Sequence, residues 1–164
     1  MSHATPLLPA DADAATTYAH LLAALGGLVA GERDAIANLA NAAALLYETL
    51  PRLNWAGFYL MKGGELVVGP FQGRPACVRI ALGRGVCGTA ASERRTVIVA
   101  DVHAFPGHIA CDAASASEIV VPLVKDGRLV GVLDLDSPVR ERFGEDDGRG
   151  LEAFAARLLS ASDL

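Results

Sequence analysis

The chain has 164 residues, of which 52% are apolar and 20% charged, and its formal net charge is −5 at pH 7. These values exclude a disordered chain and predict one folded domain of ordinary size that buries most of its apolar surface. No basic cluster is present, so neither nucleic acid nor an anionic membrane is expected as a partner.

The N-terminal region is expected to hold neither a secretion signal nor a membrane span. A secretion signal needs a positive segment before its apolar run, and the first basic residue here is Arg33. The apolar run over residues 21–30 is too short to cross a bilayer. We therefore expect a cytoplasmic protein, in which three cysteines indicate metal binding, catalysis or plain burial rather than a structural disulfide framework.

The domain is expected to begin shortly after the N-terminus. Residues 1–12 predict a flexible tail, and residues 13–164 predict a single domain. Either Asp11 or Asp13 can cap a first helix that ends near Leu28.

A second helix is predicted from residues 32–34 to Thr49, where Pro51 follows it. Its predicted apolar stripe consists of Ile36, Leu39, Ala40, Ala43, Leu46 and Tyr47.

Six strand-like runs follow, and two of the intervening turns predict hairpins. The runs lie at residues 53–61, 66–71, 77–80, 96–99, 117–124 and 128–136. Gly63-Gly64 and Asp126-Gly127 are typical of tight turns between antiparallel strands. Pro122 favours an edge position or a bulge.

The remaining segments predict the connections and the closing helix. Residues 83–91 predict a loop that leads into a short helix. Residues 101–116 predict a long loop or a short helix, and loops of this length often carry function. Residues 141–147 precede a C-terminal helix with acidic residues near its positive end. The fold class is therefore α+β, with a central antiparallel sheet of about six strands and the N-terminal and C-terminal helices packed on one face.

Three cysteines are the first candidates for chemistry. Plain burial is the usual fate of a free cysteine, but Cys111 lies in the long loop beside Pro106, Gly107 and His108. Structural zinc is disfavoured, because Cys77, Cys87 and Cys111 include no closely spaced pair. Dithiol chemistry fits better, although the sequence does not place any two of the thiols together.

Carboxyl groups form a second candidate set. Asp134 and Asp136 are two apart on one strand and therefore share a face, and Val130 and Val132 are expected to share it. Glu118 lies across the hairpin at a comparable distance from the turn. The face is either solvated or covered, and acids in a covered site need a proton or a cation.

Aromatic residues and histidines allow two interpretations each. Trp55 and Tyr59 share a face of the first strand, where they can pack in a core or wall a ligand pocket. For His103 and for His108, a surface or capping role is the simpler interpretation.

Several segments together closely resemble free methionine-(R)-sulfoxide reductase, a family with a GAF-type fold. The most specific are the three cysteines and the His-Ile-Ala-Cys-Asp segment at residues 108–112. The other segments lie at residues 54–60, 69–73, 85–88, 113–115 and 133–138. The resemblance extends from about Tyr18 to the closing helix.

The resemblance implies a role for each candidate. Cys111 resembles the catalytic cysteine, Cys77 the resolving cysteine that forms a disulfide with it, and Cys87 a third family cysteine. An acid pocket and an aromatic wall for the substrate are implied, formed by Glu118, Asp134, Asp136, Trp55 and Tyr59.

The activity implied is reduction of free methionine-R-sulfoxide, with thioredoxin as external reductant, no cofactor or metal, and a homodimeric assembly. Two alternatives stay open at this point. One is a non-catalytic GAF module that binds a small ligand. The other is a thiol redox sensor in which peroxide forms a Cys77–Cys111 disulfide without producing methionine.

Overall fold

A computed structural model describes residues 8–9 and 11–164. The tail predicted over residues 1–12 lies mostly outside the described residues, and the single domain over residues 13–164 stays a prediction. Within the described part of the chain, no helix is long and apolar enough to cross a membrane.

The described residues form four helices and six strands, in the order that the sequence predicts. The helices are α1 (Ala14–Leu28), α2 (Ala35–Thr49), α3 (Gly85–Glu93) and α4 (Glu145–Ala161). The strands are β1 (Trp55–Lys62), β2 (Glu65–Gly73), β3 (Arg79–Ile80), β4 (Val97–Val99), β5 (Ser117–Lys125) and β6 (Arg128–Ser137). One 3₁₀ turn, Val102–Ala104, follows β4.

Local side-chain chemistry accounts for where these elements begin and turn. The carboxylate of Asp13 accepts a hydrogen bond from the backbone N–H of Thr16 at the start of α1, which confirms one of its two predicted caps. Gly63 and Gly64 both have positive φ, as tight antiparallel hairpins require. Asp126 and Gly127 do the same at the β5–β6 turn.

The six strands form one antiparallel sheet in the order β3-β2-β1-β6-β5-β4. Strand β4 pairs only with residues 118–120 of β5. Pro122 therefore lies just beyond the segment that β4 covers, where its missing N–H costs no bond to β4. Its predicted edge position is confirmed.

The two faces of the sheet are covered differently. Helices α1, α2 and α4 pack on one face around a large core that includes Leu21, Leu39, Phe58, Leu133 and Phe154. This confirms the predicted placement of the N-terminal and C-terminal helices. The second face is covered by α3 and by the loop over residues 105–116, here called the Cys111 loop.

Two expectations about buried faces are wrong. Helix α2 buries Leu39, Ala43 and Leu46 as predicted, but Ile36, Ala40 and Tyr47 are exposed. Helix α2 is apolar at most positions, so its periodicity does not determine which side faces the sheet.

Val130 does not share the aspartates' face. Leu123 pairs with Gly131 while Val124 pairs with Leu129, so Val130 is an extra residue in β6. A bulge of this kind moves the following side chains to the other face. Val130 consequently packs in the helix-side core, whereas Val132 lies on the second face with the aspartates.

Substitution of Gly57 by Ala is expected to destabilise the fold. An added Cβ would lie 2.3 Å from Cβ of Phe71 and 2.8 Å from the Trp55 ring. Such overpacking costs about 1–3 kcal/mol, measurable as the free energy of unfolding in urea.

Gly148→Ala is the matched control, because a Cβ at this position in α4 meets Ile98 at an ordinary contact distance of 3.5 Å. Alanine is a better helix former than glycine, so this variant is expected to gain about 0.5–1 kcal/mol. A Gly57→Ala protein as stable as the wild type would contradict the close approach of β1 and Phe71.

Candidate active site

A pocket opens on the second face of the sheet, between α3 and the Cys111 loop. It brings together seven of the eight predicted site residues and His108. The lining includes Trp55, Tyr59, Cys87, His108, Cys111, Glu118, Asp134 and Asp136. Cys77, the eighth, is bonded to Cys111 at the rim.

Strand register explains why the three acids meet. Asp134 and Asp136 project from the same face of the central strand β6, and Glu118 of β5 stands directly opposite Asp136. On the other side of β6, Trp55 of β1 stands opposite the same Asp136. The acids and the aromatic wall therefore lie on three adjacent strands.

Burial dominates the electrostatics of these acids. Glu118 and Asp134 are buried, and burial, with Asp134 as an added negative neighbour, raises the pKa of Glu118 well above its ordinary value. Burial raises the pKa of Asp134 to about 6. The pKa of Asp136 is raised well above its ordinary value for the same reasons as that of Glu118, although Ser115 lowers it by a hydrogen bond. The pocket thus holds shared protons near neutral pH.

Few groups compensate a negative charge deep in this pocket, because the two arginines that line it, Arg74 and Arg84, are exposed to solvent. His108 Nε2 lies 3.9 Å from Glu118 Oε2, but burial lowers the pKa of His108 and disfavours its cationic form. Oδ1 of Asp134 is buried and has no hydrogen-bond partner among the described residues. The arrangement is therefore suited to a proton or to a cation brought in by a ligand.

Cys87 lies inside this acid pocket. Its thiol is buried and 3.8 Å from Oε1 of Glu118, and burial together with the neighbouring acids raises its pKa well above the ordinary value. One ligand atom each from Cys87, Glu118 and Asp134 lies within 4.8 Å of the other two, so this trio could hold a cation. Cys87 is consequently a protonated, poorly nucleophilic thiol in this environment.

Cys77 and Cys111 form a disulfide, with a Cα–Cα distance of 5.4 Å and a sequence separation of 34 residues. This is the pairing that the family resemblance implies. The bond joins the Cys111 loop to the segment that precedes β3, so a redox-active pair lies at the mouth of the acid pocket.

The aromatic wall is larger than the sequence predicts. The rings of Trp55 and Tyr59 stack with centroids 5.8 Å apart, and Trp55 stacks on Phe71 at 5.1 Å. Phe71 is not among the predicted site residues. It pairs with Gly57 across the β1–β2 hairpin, and counting the register from Gly63-Gly64 would place it opposite Ala56, because a bulge between Gly57 and Tyr59 shifts the pairing by one residue. Tyr59 Oη donates to the carbonyl of Cys77 at 3.2 Å, which connects the wall to the disulfide.

The fold and this pocket define a GAF domain with a disulfide beside an acid pocket, and comparisons with known proteins agree on the GAF domain. Residues 36–161 match the GAF domain family. A free methionine-R-sulfoxide reductase of Escherichia coli is 55% identical over 141 residues, which cover 86% of each chain. One of Saccharomyces cerevisiae is 46% identical over 150 residues, covering 87% of this chain and 83% of the relative.

Solved structures lead to the same family. The X-ray structure of free methionine-R-sulfoxide reductase from Neisseria meningitidis in complex with its substrate has a TM-score of 0.90 and 47% identity, covering 96% of this chain and 95% of that chain. The chain therefore belongs to the GAF-domain family of free methionine-R-sulfoxide reductases.

Substitution of Asp134 by Asn is expected to stabilise the folded protein above pH 6 and to have little effect at pH 4. The pKa of this acid rises from 3.8 to about 6 on folding, so the folded state loses stability as pH rises through that window. The amide of the variant carries no charge and avoids this loss, which is up to about 3 kcal/mol. The measurement is the difference in the free energy of unfolding in urea between the variant and the wild type at pH 4, 6 and 8.

Asp112→Asn is the control with the opposite sign. Hydrogen bonds from Ala114 and Asn54 lower the pKa of Asp112, so its charge stabilises the fold above its ordinary pKa and this stability is lost as pH falls through the lowered value. The Asn variant is expected to be less stable than the wild type from pH 4 to pH 8, and the difference is expected to close only as pH falls below the ordinary pKa of 3.8. Equal pH dependence in both variants would contradict the electrostatic picture.

Proposed function

We propose that this protein reduces free L-methionine (R)-S-oxide to L-methionine, with Cys111 as nucleophile and Cys77 as resolving cysteine. The observation that carries this proposal is a cysteine pair able to form a disulfide at the mouth of a buried acid pocket. A sulfoxide needs both parts, because a thiolate must attack sulfur while the oxygen accepts a proton. The identity of the substrate is inferred from the relatives named above.

The first step forms a bond between Sγ of Cys111 and the sulfoxide, and it ends in transfer of the oxygen. Methionine leaves, and Cys111 becomes a sulfenic acid. The proton comes from the cluster of Glu118, Asp134 and Asp136, whose burial keeps protons available near neutral pH. Because the three acids titrate together, the proton belongs to the cluster rather than to one residue.

The second step resolves the sulfenic acid. The thiol of Cys77 attacks it, water leaves, and the Cys77–Cys111 disulfide forms. We propose that a thioredoxin-type dithiol then reopens the disulfide and is itself oxidised, so that no bound cofactor or metal is needed. A reducing compartment such as the cytoplasm suits this cycle.

Substrate binding follows from the same charges. A carboxylate left ionised in the acid pocket pairs with the ammonium group of a free amino acid. In a peptide that ammonium group is absent, so a free substrate is favoured. Trp55 and Tyr59 wall the methyl–sulfur end, and the third cysteine, Cys87, lies among the acids.

We also propose that residues 13–164 act as one catalytic domain and that two copies associate. The exposed face of α1 carries only small residues at four-residue spacing, namely Ala15, Ala19, Ala23 and Gly27. Side chains of this size let a second helix approach closely, which supports a homodimer of the kind that the resemblance implies.

Substitutions of Cys111 and Cys77 are expected to impair methionine production in different ways. Cys111→Ser should yield no methionine, whereas Cys77→Ser should yield about one methionine per protein and then stop as the sulfenic acid. The amount of methionine released and the mass of the protein, which reveals the sulfenic acid, distinguish the two variants. The S epimer, offered to the wild type, is the control and should not be consumed. Unchanged turnover in Cys111→Ser would remove the nucleophile from this scheme.

Acetylation of the substrate's amino group is expected to lower kcat/KM by about 10²–10³-fold. Leaving a buried charge unpaired costs about 3–5 kcal/mol, part of which the protein recovers by taking up a proton. Steady-state kinetics with N-acetylmethionine R-sulfoxide measures this. An N-acetylated substrate that is used as well as the free amino acid would show that no carboxylate pairs with the ammonium group.

A further inference from the structure

Asn54 immediately precedes β1, and its side chain contacts the Cys111 loop. Nδ2 of Asn54 donates to Oδ2 of Asp112 and to Oγ of Ser115, each at 3.0 Å. Its backbone N–H donates to the carbonyl oxygen of Asp136 at 3.0 Å, which fixes Asn54 to β6. One amide thus connects the sheet below the acid pocket to the residue that follows Cys111.

The contacted segment is compact by itself. Oδ1 of Asp112 accepts from the N–H of Ala114 at 2.9 Å, and the N–H of Ser115 donates to the carbonyl of Asp112 at 3.2 Å. These bonds make residues 112–115 a tight turn, so holding Asp112 and Ser115 also places Cys111. Ser115 lines the same pocket as Asp136, so the turn touches the acid pocket.

Chemistry determines which way the Asn54 amide points. Both of its partners present oxygen atoms, one of them a carboxylate, and only the NH₂ group can donate to both. The reversed amide would place its oxygen against the Asp112 carboxylate. Asn54 therefore contributes its two N–H bonds, and Oδ1 has no partner among the described residues.

We propose that Asn54 is a positioning residue that holds Cys111 at the acid pocket when the Cys77–Cys111 disulfide is open. While that bond is closed, it locates Cys111 covalently. Once the disulfide is reduced, the two hydrogen bonds from Asn54 connect residues 112–115 to the start of β1. The inference rests on the proposed role of Cys111 and adds a residue to it.

Loss of these bonds is expected to act on Cys111 more than on the fold. A less ordered loop brings Cys111 to the sulfoxide and to Cys77 less often, which lowers kcat more than it changes KM. It also lowers the effective concentration of the two thiols, so the disulfide closes less favourably at equilibrium with glutathione.

The test exchanges the amide at position 54 with the carboxylate at position 112. In Asn54→Asp two carboxylates face each other, whereas in the double variant Asn54→Asp/Asp112→Asn the new amide at 112 can donate to the new carboxylate at 54 and still accept from Ala114. The closing equilibrium, in which two protein thiols and glutathione disulfide give the protein disulfide and two glutathiones, is expected to fall about 10-fold in Asn54→Asp. In the double variant it should return to within about 3-fold of wild type, and kcat should follow the same order.

Asn38→Ala is the control for general destabilisation. Asn38 is a buried asparagine that donates to Glu32, Ala161 and Ser162, away from the pocket. Its loss is expected to lower Tm without changing the glutathione equilibrium.

Three results would overturn the proposal: a wild-type equilibrium in Asn54→Asp, no recovery in the double variant, or an equal shift in Asn38→Ala. If Asn54→Asp does not fold, Ser115→Ala removes only one of the two bonds and is expected to shift the equilibrium about 3-fold; no shift there overturns the proposal as well. The equilibrium needs no methionine sulfoxide, so failure of the proposed reaction would be seen separately, as absent turnover in the wild type.

Discussion

Three carboxyl groups in one pocket on the second face of the sheet, two buried and one half-buried, are the constraint on which the site depends. Water is largely excluded around Glu118 and Asp134, so each negative charge there needs a proton or a cation. The two arginines that line the pocket, Arg74 and Arg84, are exposed to solvent, and His108, which lies 3.9 Å from Glu118, is favoured in its neutral form. The pocket is therefore suited to hold a proton of its own and to pair with a cationic group on a ligand, which are the two roles that the proposed reaction gives it.

The same constraint divides the cysteines into two kinds. Cys87 is among the acids, where burial and negative neighbours keep its thiol protonated. Cys77 and Cys111 are at the rim, joined to each other. In the proposed cycle Cys111 ionises and the disulfide is later reduced by an external dithiol. Both steps are favoured at the rim, where desolvation is weaker and a partner protein can reach the cysteines. The three cysteines are thus chemically distinct in spite of their equal appearance in sequence.

Cys111 needs a fixed position in both redox states, and the fold provides this by two means. The disulfide determines its place in the oxidised state, and hydrogen bonds from Asn54 to the turn after Cys111 are available in either state. Ser115 of this turn lines the same pocket as Asp136, so the proposed nucleophile and the proposed proton source share one support. Correct alignment of reacting groups matters because small displacements lower rates strongly.

The sequence by itself determined the helices and strands through local periodicity. The same periodicity determined which side chains share a face of one strand, as Asp134 does with Asp136 and Trp55 with Tyr59. Turn chemistry likewise determined the two hairpins, because Gly63-Gly64 and Asp126-Gly127 favour one backbone geometry. Only the tertiary structure decided which thiols meet across 34 residues, which side of the apolar helix α2 is buried, and that a bulge turns Val130 away from the acids. These depend on long-range packing, as do the raised pKa values of the acids, since desolvation is produced by everything that covers a group and not by its neighbours in sequence.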